Sequence, residues 1–234
     1  SQHGVDPIIR GQKADQLNVL IDGAYVFGGC PNRMDPPTSF GSLNLYDRVV
    51  VEKGVQSLLH GAGGSGGTIR FERDTAELAA EARIRGSFSI GANSNGLDNE
   101  THADVLLSNG KGYLRAQGEF IDADSYEDGK GNEVPSAMKK RAGTLIGGYR
   151  FGEHSGIEAS IDRSFVTDAL YAGAGMDAPK DDLTAYRLKG WTQDLDGPVN
   201  GVRAEIWRSN VNHLMDNYSL RTPRNPNMLS RSPT

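Results

Sequence analysis

The stretch Ala82-Arg83-Ile84-Arg85-Gly86-Ser87-Phe88-Ser89-Ile90 decides the fold. Ala82, Ile84, Gly86, Phe88 and Ile90 fall on one side of an extended chain, and Arg83, Arg85, Ser87 and Ser89 on the other. A period of two marks a strand with one apolar and one polar face, because successive side chains leave a pleated backbone on opposite sides. The rhythm recurs downstream. Ala103, Val105 and Leu107 oppose His102, Asp104 and Ser108, while Leu114, Ala116, Gly118 and Phe120 oppose Arg115, Gln117 and Glu119. Further strands are expected over 138–150, 155–168, 182–194 and 199–210. Within them Ile157, Ala159 and Ile161 oppose Glu158, Ser160 and Asp162, and Val202, Ala204 and Ile206 oppose Arg203 and Glu205.

The connections alternate in length. Short turns are expected at Asn109-Gly110-Lys111-Gly112, Phe151-Gly152-Glu153-His154 and Asp194-Leu195-Asp196-Gly197-Pro198. Longer polar loops are expected near 91–101, 126–137 and 169–181. A soluble antiparallel sheet with one wet face would show the same alternation. Strand length and loop asymmetry favour the outer-membrane barrel, with apolar residues facing lipid and polar ones the lumen. The expected fold is therefore mainly β, with about seven antiparallel strands over residues 76–234.

Residues 1–75 are different material. Leu17-Asn18-Val19-Leu20-Ile21-Asp22-Gly23 reads as a strand ending in a turn, and Tyr46 to Gly54 as another. Val55 to His60 is long enough for a helical turn or two, closed by Gly61, and Thr68 to Arg73 alternates as a strand. Between them Gly61-Ala62-Gly63-Gly64-Ser65-Gly66 satisfies G-x-G-x-x-G literally. Dinucleotide binding needs a helix to open from such a run, and a phosphate loop needs a Lys where Gly67 stands. A tight turn is the better account.

Composition narrows function. The net charge of −5, with no basic run longer than Lys139-Lys140-Arg141, argues against a nucleic-acid partner. No apolar stretch approaches the ~18 residues of a membrane helix, and the N-terminus lacks a signal-peptide pattern. No G-x-S-x-G elbow presents a nucleophile, so no enzyme is expected. His3, His60, His102 and His154 have no second ligand at metal spacing, and Asp122/Asp124 and Asp181/Asp182 are expected in or beside loops, solvated.

Two clusters stand out. The only cysteine sits in Gly29-Cys30-Pro31-Asn32-Arg33-Met34-Asp35, and Asn212-His213-Leu214-Met215-Asp216 lies near the other end. A single cysteine forms no intrachain disulfide, so it is reactive, ligating or merely buried. An isolated Met is usually core filler. Taken together, a thiolate, two thioethers and an imidazole form a soft donor set of the kind that selects Cu(I) over Mg²⁺ or Ca²⁺.

The run from Tyr46 to Gly63, with Asp22-Gly23 before it and Gly66-Gly67-Thr68-Ile69 after it, resembles the second half of the plug domain of TonB-dependent outer-membrane receptors. Arg33-Met34-Asp35-Pro36-Pro37-Thr38 and Phe71-Glu72-Arg73-Asp74 resemble the copper-receptor branch of that family. The resemblance implies a plug part over 1–75 and the first strands of a barrel over 76–234, in a receptor of roughly 22 strands around a plugged lumen. It implies a bacterial outer-membrane location, contact with lipid, and energising by the TonB complex through a plug segment outside this sequence. It also implies a copper site formed by Cys30 and Met34 in the plug with His213 and Met215 in an external loop. If the first strand rises from the periplasmic side, the seventh ends outside and places His213 and Met215 in the fourth outer loop. The expected function is TonB-dependent import of copper, bound mainly as Cu(I). The alternatives are a receptor for a metal chelate such as a siderophore, and a surface metal-binding protein without transport.

Overall fold

The computed structural model describes residues 5–30, 33–55, 59–61, 64–81, 84–223 and 226–234. Strands β1 (Ile8–Ile9) and β2 (Gln12–Lys13) form a small hairpin. Next come β3 (Leu17–Ile21), β4 (Ala24–Tyr25), β5 (Arg48–Lys53) and β6 (Gly67–Glu72), joined as one sheet in the order β4-β3-β6-β5. β3 pairs parallel with β6, and every residue of β3 is buried, the pattern of a strand covered on both faces. Asp22 and Gly23, both at positive φ, turn β3 into β4. β6 opens from Gly67 at the end of the glycine run, so a strand and not a helix N-terminus follows it.

The second layer is a meander. β7 (Ile84–Gly91), β8 (Asn99–Ser108), β9 (Gly112–Ala123), then the two-residue hairpin β10 (Tyr126–Glu127) and β11 (Glu133–Val134), precede β12 (Met138–Arg150), β13 (Ser155–Ala169), β14 (Asp177–Gln193), β15 (Gly201–Asp216) and β16 (Leu229–Pro233). Apart from β10 and β11 these strands form one eight-stranded antiparallel sheet in chain order. It curves around the first sheet as a partial barrel wall around a plug. Along β13 the expected faces are realised: Glu158, Ser160 and Ser164 are buried toward the plug, while Ile157 and Phe165 are exposed outward. Plug and wall share a core in which Leu17, Val19, Ile21, Ile69 and Phe71 pack with Leu183 and Val211 of the wall.

The mainly β fold of plug and antiparallel wall strands is as expected, with a short eighth strand, β16, beyond the seven. Two details differ. Thr75–Glu81 forms a helix, α1, that no local pattern signalled. Its Ala79 packs against Leu106, Tyr113 and Ile146, so the wall rather than the helix's own amphipathicity holds it. The helical turn expected over 55–60 includes residues 56–58, which lie outside the described set.

The second difference concerns His213 and Met215. His213 and Met215 do not stand in an outer loop. They lie inside β15, paired with β14 on one side and with β16 on the other, through His213↔Ser232 and Met215↔Ser230. The sequence reading stopped short because the polarity phase inverts. Lower in β15 the plug-facing positions are Arg203 and Glu205, whereas Val211, His213 and Met215 continue that face as buried, mostly apolar residues pressed against the plug.

Candidate metal centre

Two backbone segments build the site. In β15 the spacing His213-x-Met215 matches the period of a strand, so both side chains project from one face, inward, and each is 1% exposed. Beside them the register of β14 against β15 shifts between Asp177 and Lys180, a bulge of the kind that re-aims side chains next to functional sites. The other segment is the plug loop Gly28-Gly29-Cys30, which crosses directly over β15. A Cβ on Gly29 would stand 2.8 Å from His213 Cβ and 2.8 Å from the Ser232 carbonyl, so only glycine permits this approach. The far end of the loop is held by Arg33, at positive φ, whose guanidinium pairs with Asp6 (2.9 Å) and Asp15 (3.3 Å).

The contact brings three of the four expected donors into one cluster. Cys30 Sγ lies 3.7 Å from Met215 Sδ. Donor atoms of Cys30, Asp35 and His213 all lie within 4.8 Å of one another. Met34 is partly buried against the same cluster of Cys30, Met138, Tyr171 and Met215, and its carbonyl accepts a hydrogen bond from the Tyr171 hydroxyl (3.2 Å). The thiol of Cys30 is free.

Two carboxylates complete the arrangement. Asp35 is fully buried and accepts hydrogen bonds from the backbone N–H groups of Gly29 (2.5 Å) and Cys30 (2.9 Å). Burial pushes its carboxyl above the ordinary range; the nearby Asp181 adds to that, and His213 and the two N–H donors work against it. Asp181, expected in solvent, is instead fully buried, a correction forced by the register that sets it opposite His213. Its Oδ1 is 3.2 Å from His213 Nδ1, and Asp35 Oδ2 is 3.6 Å from the same nitrogen. Neither ring nitrogen of His213 completes a hydrogen bond among the described residues: Nδ1 stands at ion-pair distance but off a good hydrogen-bond line, and Nε2 has no partner.

Asp35 and Asp181 carried no assigned role in the sequence. Asp35 had a signal, since it directly follows Met34. For Asp181 the only signal is hairpin register: Asp181 and His213 are equidistant from Gly197 in the turn between β14 and β15. Above the cluster the loop after β15 is tied down by Arg221, which pairs with Asp177 and donates to the Ala174 carbonyl (3.1 Å).

A buried imidazole whose ring nitrogens complete no hydrogen bond among the described residues, beside a thiol and a thioether, is a costly arrangement unless something is bound there. It can take a soft cation. Residues 1–68 match the TonB-dependent receptor plug domain. In structure the chain is similar to the copper transporter OprC, at 36% identity and a TM-score of 0.89 over 97% of this chain. It is also similar to the FrpB iron transporter from Neisseria meningitidis (F3-3 variant), at 19% identity and a TM-score of 0.67 over 88% of this chain. The hemophore receptor HasR of Serratia marcescens, solved as a double mutant with its hemophore HasA and heme, gives 17% identity and a TM-score of 0.67 over 91%. The last two likenesses speak for the fold alone. The chain spans 36%, 34% and 32% of these three proteins. No curated protein matches the sequence. With a plug domain at its start and a barrel wall folded around it, the chain belongs to the TonB-dependent receptor family.

Proposed function

We propose that the receptor containing this chain takes up copper, bound mainly as Cu(I), through a single site made by Cys30 and Met34 of the plug and His213 and Met215 of the wall. In this reading residues 1–75 are plug and 76–234 the wall of an outer-membrane barrel whose apolar outer face meets lipid. The observation that carries it is the convergence of soft donors from two independent elements, with Cys30 Sγ 3.7 Å from Met215 Sδ. Two sulfurs at that separation can each stand ~2.3 Å from a shared ion at a near-tetrahedral angle. Thiolate, thioether and imidazole favour a soft ion, and two thioethers are unusual around zinc. The 36% identity with a protein described as a copper transporter supports the same choice. A bulky chelate fits less well, because His213 and Met215 are each only 1% exposed.

The geometry suggests how capture and release differ. A bound ion bridges plug and wall, so arrival of copper fastens the Cys30 loop to β15. TonB, pulling on the plug, would carry Cys30 and Met34 away from His213 and Met215. The ion would then pass from four donors to two and bind less tightly, which couples release to plug movement.

The test is elemental analysis of the receptor purified with copper, zinc, iron and nickel all present. One copper per receptor is expected, lost in Cys30→Ala and in His213→Ala. Stoichiometric zinc or iron would overturn the reading.

A further inference from the structure

We propose that Asp181, backed by Asp35, is the positioning residue of the copper site: it holds the proton of His213 on Nδ1 so that Nε2 presents its lone pair to the ion. The proposal rests on His213 being a copper donor. A neutral imidazole carries one N–H, and an ionised carboxylate only accepts. Both carboxylates that face the ring approach the same nitrogen, Asp181 Oδ1 at 3.2 Å and Asp35 Oδ2 at 3.6 Å from Nδ1. The negative charge of two carboxylates at one nitrogen favours the tautomer protonated at Nδ1, with no completed hydrogen bond required. The other nitrogen, Nε2, is buried and has no partner among the described residues.

The supports come from opposite sides. Asp181 stands directly across from His213 in the β14–β15 ladder, so strand pairing fixes its reach. Asp35 belongs to the plug and is itself clamped by the N–H groups of Gly29 and Cys30. One carboxylate thus links the backbone that presents the thiolate to the ring that presents the imidazole. Neither is well suited as a direct ligand, because Cu(I) prefers sulfur and imidazole to carboxylate oxygen. Partners of a ligating histidine commonly matter by 10–100-fold in metal affinity.

A double-mutant cycle on the whole receptor separates positioning from bulk charge, with Cu(I) affinity measured by competition against a chromophoric Cu(I) chelator. Asp181→Asn keeps shape but lets an amide N–H face the ring, and should weaken Cu(I) binding about 10–100-fold. In a His213→Ala background the same change should have little further effect, because Asp181 acts through the ring. Asp181→Glu, which restores an acceptor, should recover part of the loss. In ¹⁵N spectra the His213 ring should carry its proton on Nδ1 in the parent and shift toward Nε2 in Asp181→Asn. An equal loss from Asp181→Asn in both backgrounds, or none in either, would overturn the proposal. If His213→Ala itself left affinity unchanged, the donor assignment would fail and this proposal with it. If His213→Ala weakened binding while Asp181→Asn did not, only the positioning role would fall.

Discussion

Two of the polar contacts between plug and wall are very different in kind. Midway down, Arg73 is buried and donates to Asp22 (3.1 Å), Asp162 (2.9 Å), Thr144 Oγ1 (3.0 Å) and the Leu45 carbonyl (2.7 Å), with its guanidinium 4.2 Å from the Tyr46 ring centroid. Arg187 of the wall pairs with Asp22 as well. Every charge there has an opposite partner, and all donors are hard. Near the C-terminal end of β15 the contact consists of thiol, thioether and imidazole, and the ring nitrogens of His213 complete no hydrogen bond among the described residues. The satisfied contact needs nothing more and serves as attachment. The unsatisfied one costs free energy as it stands, which supports the proposed ion site.

That contrast breaks first at Arg73. Replacing it by Ala leaves the buried Asp22 with Arg187 alone and takes the guanidinium from the partly buried Asp162, and loss of one member of such a network costs about 3–5 kcal/mol. Plug protection against protease should fall sharply, while Cu(I) affinity of the molecules that remain folded should be kept. The same network gives a pH signature. Burial alone would raise the Asp22 carboxyl, but Arg187, Arg73 and Lys189 outweigh it and hold it below the ordinary value. A carboxyl lowered in the folded state contributes stability above its unfolded value of ~3.9, and that contribution is lost as pH falls through the lower folded value. Plug attachment should therefore weaken below about pH 4, and Asp22→Asn should flatten that acid transition.

The soft contact should respond in the opposite way. Cys30→Ala and His213→Ala should each lower Cu(I) affinity strongly and leave plug protection nearly unchanged. Met34→Ala and Met215→Ala should cost less affinity, because a thioether brings no charge to the cation. A competition titration ranks the four. A Cys30→Ala receptor with full affinity would remove the central donor from the account.

How much of this could be read from sequence follows from which interactions are local. The alternation in Ala82–Ile90 and Gly156–Asp162 is a property of neighbouring residues, so the wall was legible strand by strand. Cys30 with Met34, and His213 with Met215, stood out as candidate donor pairs by their close spacing, whereas the approach of Cys30 to Met215 depends on the plug–wall contact. The extent of β15 was not, because the plug takes up the inner face from Val211 onward and makes it apolar where a lumen-facing strand would be polar. Asp181 was missed since its burial depends on a partner far away in sequence, through the ladder centred on Gly197. Helix α1 depends likewise on Leu106, Tyr113 and Ile146, which are distant in the chain.

The central claim is that plug and wall share one ion. X-ray absorption at the copper edge of Cu(I)-loaded receptor tests it most directly, by counting sulfur neighbours in the parent, in Met34→Leu and in Met215→Leu. The account predicts a shell dominated by sulfur with one nitrogen, and the loss of one sulfur from that same shell in each variant, one on the plug and one on the wall. A shell of oxygen and nitrogen alone, or a sulfur count that responds to only one of the two substitutions, would contradict it.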